Sequence, residues 1–155
     1  MKLRVVALGH RMPAWVSAGW DEYARRLPRE FALELIVLKP ESRDGGKPIA
    51  QLLAAESGRI AAACKGALMV ALDERGQGWT TRILADRLAR WRDDARDVAF
   101  IIGSADGLAE SVKRDAAALV ALSAMTLPHG LVRVLLAEQL YRATSLLAGH
   151  PYHRE

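Results

Sequence analysis

Two hydrophobic rhythms take turns along this chain. Short unbroken apolar runs suit strands buried on both faces; stretches where apolar residues return every three or four positions suit helices with one buried side. Residues 2–8 (KLRVVAL) form the first run, ending at Gly9. Pro13 then suits the first turn of a helix whose face carries Val16, Trp20, Tyr23 and Leu27, and Pro28 ends it. A second strand is expected over 31–38 (FALELIVL), closed by Lys39 and Pro40. Residues 41–47 (ESRDGGK), with adjacent glycines and mixed charge, read as a flexible loop. Pro48 opens a helix to about Lys65 with Ile49, Leu52, Leu53 and Ile60 on its face, and Gly66 closes it.

A third strand over 67–72 (ALMVAL) leads into a loop at 73–79. Thr80 or Thr81 can cap the next helix, which aligns Leu84, Leu88, Trp91 and Ala95. The fourth strand spans 97–102 (DVAFII), and a glycine-bearing loop follows at 103–108. A shorter helix is expected over 109–118, a fifth strand over 119–125, and a long helix over 131–147 facing inward with Val132, Leu136, Leu140, Ala143 and Leu147. This alternation predicts a single α/β domain over 1–155, with a mostly parallel sheet and helices on both faces. In such sheets ligands bind at the carboxyl ends of strands. Three loops with glycine, proline and small polar residues gather there: 73–79, 103–108 and 126–130.

Composition changes this picture little. At 155 residues, 51% hydrophobic and 26% charged, the chain has the make-up of an ordinary soluble domain able to bury its own core. No apolar run is long enough to cross a membrane, the opening reads as a strand rather than a leader, and nothing points away from the cytoplasm. The single cysteine, Cys64, excludes an internal disulfide and a multi-cysteine zinc site, and suits a helix face. A net charge of +4 permits a polyanionic partner without demanding one. Arg25, Arg26, Arg29, Arg82, Arg87, Arg90 and Arg92 stand on expected helices or their ends, where each reads as part of a solvated face.

The loops carry few familiar signatures. Gly103 to Gly107 (GSADG) lacks the third glycine of a dinucleotide fingerprint and the lysine of a phosphate loop, although its backbone could donate to a ligand edge. Ser104 there lacks the spacing of a nucleophile elbow. His10, His129, His150 and His153 form no helical metal pair, so no metal is expected. The tail is different. Tyr152, His153 and Arg154 set a stacking ring, a titratable base and a phosphate-reading fork side by side, groups that read single-stranded RNA. A tail merely pinned to the core by Tyr152 fits the same residues.

Residues 122–129 (LSAMTLPH), 131–135 (LVRVL), 137–143 (AEQLYRA) and the terminal run 150–155 (HPYHRE) resemble the signature of the bacterial 23S ribosomal RNA pseudouridine N3-methyltransferases. So do the first strand with Gly9, then Met12, Pro13 and Trp15, the Leu72 and Asp73 loop, and Ile102 and Gly103 with Gly107 and Leu108. The resemblance covers essentially the whole chain. It implies a SPOUT-type α/β domain with a C-terminal trefoil knot, a homodimer, S-adenosyl-L-methionine as cofactor, and a pseudouridine of 23S rRNA within the assembled ribosome as substrate. Topology rules alone would argue against such threading.

Carried over residue by residue, the resemblance assigns cofactor contacts to Leu72, Gly103, Leu122, Ser123, Ala124, Met125, Thr126 and Leu127. These fall at the three loop mouths. It assigns positions near the target base to Glu138, Arg142, Tyr152, His153 and Arg154. The chain departs from the family at 103–107, where Gly-Gly-Pro-Glu-Gly is common, so Asp106 inherits no role. The reaction must remove the imide proton of N3; His153 has the pKa range of a base, Arg154 or Arg142 could steady the anion, and Tyr152 could stack on the base. Glu138 and Arg142 also have the spacing of a plain helical ion pair, and His129 reads as shaping the turn into the long helix. A non-catalytic ribosome-binding factor, or a methyltransferase acting on another RNA, would keep the same fold.

Overall fold

A computed structural model describes residues 1–9 and 11–154; His10 and Glu155, the last residue of the tail motif, lie outside them. Five strands and five helices alternate: β1 (Lys2–Leu8), α1 (Ala14–Ala24), β2 (Ala32–Leu38), α2 (Ile49–Ala63), β3 (Ala67–Gly78), α3 (Thr81–Asp93), β4 (Asp97–Ile102), α4 (Glu110–Asp115), β5 (Ala118–Ala121) and α5 (His129–Leu147). The sheet order is β2-β1-β4-β3-β5 and every pairing is parallel.

The uninterrupted apolar runs of β1 and β4 follow from burial on both sides. Leu3, Val5 and Ala7 with Val98, Phe100 and Ile102 point to one face, where they meet Trp20 of α1, Leu84, Leu88 and Trp91 of α3, and Leu136 and Leu140 of α5. Val6, Leu8, Ala99 and Ile101 point to the other, against Ile60 and Cys64 at α2 and Val112 of α4. Three helices thus cover one face and two the other, as expected for the fold class. No helix among the described residues is long and apolar enough to cross a membrane.

Glycines let α1 and α5 cross closely. A Cβ on Gly130 would lie 2.9 Å from Val16 Cγ2, and one on Gly19 would lie 3.0 Å from Val134 Cγ1.

The structure corrects the expected boundaries where they bear on the site. β5 stops at Ala121, so 122–125 belongs to a loop and not to the end of a strand. β3 runs through the expected 73–79 loop. Leu72 and Gln77 both pair with Val120, so 73–76 bulges out of the ladder before the strand resumes. Asp73 Oδ1 accepts from the Arg75 N–H (2.8 Å) and Asp73 Oδ2 pairs with Lys113 Nζ (3.0 Å), which folds the bulge back. Gly76 is then pressed onto β5, where a Cβ would lie 2.5 Å from the Val120 nitrogen. Thr80 caps α3 by accepting from Ile83 N (3.2 Å), and Ala95 lies beyond the helix at φ 53°. The short α4 and the early start of α5 at His129 also differ from expectation, each by a turn or less.

Candidate active site

A cleft of about 1100 Å³ opens at the carboxyl ends of the strands. Of the eight residues expected to hold the cofactor, Leu72, Gly103, Leu122, Ser123, Met125, Thr126 and Leu127 line it; Ala124 does not. Leu72, Ile102, Val120, Leu122 and Leu127 supply apolar wall, while Gly103 and its neighbours expose backbone. Glycine is needed at 103 because a Cβ there would lie 2.7 Å from the Gly107 oxygen. Met125 is 78% exposed, so the loop that follows β5 presents an apolar side chain to its surroundings.

The charged rim was not anticipated. Glu56 on α2 is 1% exposed. It sits in the apolar row Leu52, Glu56, Ile60, the three buried residues of that helix. Arg43 Nη1 donates to Glu56 Oε2 (2.8 Å) and to the Glu41 carbonyl (2.8 Å). Its Nε donates to Asp106 Oδ2 (3.1 Å) and its Nη2 to Ser104 Oγ (2.9 Å). Ser104 Oγ in turn donates to Glu56 Oε1 (3.3 Å), and the Glu41 N–H donates to Glu56 Oε2 (2.8 Å). Burial pushes the Glu56 carboxyl up, but hydrogen bonds from Arg43 and from the Glu41 backbone outweigh it and hold the group below its usual value. The hydrogen bond to Glu56 raises the Arg43 guanidinium. Glu56 is buried while Arg43 reaches it from the exposed rim, so losing Arg43 leaves a buried carboxylate without its cation. A carboxylate at i, i+4 spacing within an apolar helix row is the sequence signal that could have revealed the network.

His129 does more than shape a turn. It lines the cleft, and its Nε2 lies 3.4 Å from Nε and 3.3 Å from Nη2 of Arg133. Arginine can only donate, so Nε2 accepts and the ring proton is assigned to Nδ1, with the Gly103 backbone beside the ring as a partner. Burial, then repulsion from Arg133, lowers the His129 pKa and keeps the ring neutral, the Gly103 bond opposing weakly. Arg133 is 3% exposed and pairs with no carboxylate among the described residues. Gly9 leaves room for its guanidinium, since a Cβ there would lie 2.7 Å from Nη2.

The five residues expected near the target base stand away from the cleft; none of them lines it. Three of them, Glu138, Arg142 and Tyr152, come together along the second half of α5, and the other two follow Tyr152 directly. Arg142 Nη2 pairs with Glu138 Oε1 (2.6 Å) and the Tyr152 hydroxyl donates to the same oxygen (3.1 Å). The Arg142 guanidinium lies 4.7 Å from the Tyr152 ring centre, and Tyr152 lies 4.5 Å from Tyr141. Gly149 (φ 68°) reverses the chain, and the His150 N–H caps Ser145 O (2.9 Å), which returns the tail along the helix. His153 Nδ1 is enclosed without a hydrogen-bond partner, and Arg154 is exposed. Tyr152 is therefore both pinned and displayed: the helical ion pair of Glu138 and Arg142 is real, and the tail folds onto it.

With this geometry in view, kinship decides the family. The family model described as "Predicted SPOUT methyltransferase" matches residues 1–153. The chain belongs to the SPOUT methyltransferase family. Proteins named "Ribosomal RNA large subunit methyltransferase H" from Burkholderia mallei strain SAVP1 and Burkholderia pseudomallei strain 668 are each 57% identical to it over 155 residues, covering 99% of both chains. Among solved structures, a probable methyltransferase from Bordetella pertussis superposes with a TM-score of 0.60 at 19% identity, covering 92% of this chain and 95% of its own. A probable methylase family protein from Haemophilus influenzae gives 0.57 at 14% identity, covering 99% and 70%. These two likenesses are of fold, and they give the SPOUT member described above the same α/β frame.

Proposed function

We propose that this SPOUT protein methylates N3 of a pseudouridine in 23S rRNA of the assembled ribosome, working in the cytoplasm as a homodimer with S-adenosyl-L-methionine as donor. The observation that carries the reading is the 57% identity, end to end, with proteins named as large-subunit ribosomal RNA methyltransferases. The cleft fits the donor: it offers apolar wall from Leu72, Leu122 and Leu127, and exposed backbone at Gly103 that no side chain obstructs. The bound cofactor would supply a methyl group on a sulfonium. The protein's own part is to hold that group in line with N3 and to manage the imide proton.

The tail cluster suits the second task. Tyr152 offers a ring to the target base, Arg154 is exposed where it can meet phosphate, and His153 is the candidate acceptor of the N3 proton through Nε2, since its Nδ1 is enclosed. Arg142 is partly taken by Glu138 and steadies Tyr152. In one chain, however, this cluster and the cleft are separated along α5: at about 1.5 Å per residue Glu138 lies about 14 Å and Arg142 about 20 Å beyond His129. A second copy that brings its tail to the first copy's cleft closes that gap. The apolar Trp15 (56% exposed) and Met125 are surfaces such a copy could cover. The same reading carries a threaded, knotted C-terminal region, as the SPOUT membership implies.

The test is mass spectrometry of ribosomal RNA from a deletion strain, with restoration of the mark by purified protein and donor on isolated ribosomes. Loss of one methyl from a large-subunit pseudouridine is expected. An unchanged large subunit overturns the assignment.

A further inference from the structure

The β2–α2 loop, 41–47, has the composition of a mobile segment, and a Cβ on Gly45 or Gly46 would meet nothing within 4 Å. Yet Glu41 to Asp44 line the cleft together with Ser104 to Gly107 from the β4–α4 loop. Few apolar contacts hold such a loop in place, so its order has to come from polar ones. The Arg43 guanidinium supplies them. It reaches Asp106 and Ser104 on the facing loop, and Glu56 beneath both. Glu56 is rooted in α2 and also accepts from the Glu41 backbone, so a buried helix carboxylate fixes the start of one loop and, through Arg43, the middle of the other.

We propose that Arg43 is a positioning residue for the methyl donor: it latches the 41–47 loop onto the 103–107 loop, and the latched pair forms the outer wall of the cofactor cleft. This rests on the reading of the cleft as a cofactor site. The latch gives Ser104 and Asp106 a use. Both accept hydrogen bonds from the same arginine. A wall ordered before the ligand arrives spares binding the cost of ordering it, so the effect falls on affinity rather than on the chemical step.

Calorimetric titration with S-adenosyl-L-methionine, paired with steady-state methylation of isolated ribosomes, tests this. Arg43→Ala is expected to weaken binding and raise KM for the donor about ten-fold or more, with kcat within about two-fold. Arg43→Lys is expected not to rescue, because one ammonium cannot span the acceptors on three elements that a guanidinium fork reaches. Arg43→Ala also leaves a buried carboxylate unpaired and can unfold the protein. The double variant Arg43→Leu/Glu56→Leu removes both charges, and it must show the same loss of affinity together with faster amide exchange over 41–47. Wild-type protein that binds no S-adenosyl-L-methionine overturns the methyltransferase reading and this role with it. Wild-type binding accompanied by an unchanged constant in a folded Arg43→Ala or double variant overturns this role alone, as does a drop confined to kcat.

Discussion

The two ends of α5 are built on opposite principles. At its start, around His129, the site joins backbone and apolar wall to a rim of paired polar groups: Gly103, the 122–127 loop and Leu72 enclose space, and Arg43, Asp106 and Glu56 are tied to one another beside it. Toward its end, Glu138, Arg142 and Tyr152 make a surface of side chains, held to one another by a shared carboxylate oxygen and by the tilted contact of Tyr152 with Tyr141. The first end suits a ligand recognised by shape and edge; the second suits one recognised by charge and plane. Methyl transfer to RNA needs both, and one chain keeps them apart.

Alanine at the tail should have the largest effect. His153→Ala is expected to lower the methylation rate by about 100-fold or more if the ring takes the N3 proton. Tyr152→Ala and Arg154→Ala should also slow transfer, while calorimetry finds the donor binding of all three unchanged. Wild-type rates in the three variants would leave the tail a mere anchor. Gly103→Ala should do the reverse: its Cβ would collide with the Gly107 carbonyl, costing about 1–3 kcal/mol of stability and weakening donor binding. The two defects can then be combined. Mixing His153→Ala with Gly103→Ala subunits should restore about a quarter of wild-type activity if each site joins one chain's cleft to its partner's tail, because a two-fold dimer places both faults in one site and leaves the other intact. Mixtures that stay dead would mean that each chain acts alone.

A smaller effect is expected at Glu138. Glu138→Gln keeps the shape but loses the charge that holds Arg142 and the Tyr152 hydroxyl. The pair is partly exposed, so the stability loss should stay near 1 kcal/mol, read by denaturant unfolding. Methylation should fall by several-fold through looser placement of Tyr152, with donor affinity unmoved. A Glu138→Gln protein as slow as His153→Ala would instead make Glu138 a group that touches the reacting base.

How legible these ends were in the sequence differs for physical reasons. Strand and helix order followed from periodicity because β1 and β4 are buried on both faces and α3 and α5 on one. The end of β5 did not: Leu122 and Met125 read as strand, but apolar side chains in a ligand-lining loop carry the same signal as apolar side chains in a sheet. The bulge at 73–76 was equally hidden, since it depends on Asp73 meeting Lys113 forty residues away. The latch escaped notice because Arg43 looked like loop charge, and only its contact with Glu56 across α2 gives it a role. Resemblance supplied the cofactor residues that spacing could not, and seven of the eight line the cleft; Ala124 of the same loop does not.

The smallest expected effect lies at the first end of α5 and tests whether His129 serves the cleft as a neutral brace. Burial and the neighbouring Arg133 guanidinium depress its pKa in the folded protein, whereas the unfolded chain returns it to about 6.5. Below that value the unfolded chain binds more protons than the folded one, so stability rises with pH there. The contribution is complete above about 6.5 and drains away as pH falls toward the lower folded value. Glu56 and Asp73, both held below their usual range, lose their own contributions on further acidification, so the histidine must be read by difference. His129→Gln keeps a donor for the Gly103 carbonyl without a titrating ring. Thermal unfolding from pH 5 to 7 should therefore show a flatter slope in the variant than in the wild type. Parallel slopes would mean that the ring charges as readily in the folded protein as in the unfolded chain, which overturns its reading as a neutral brace.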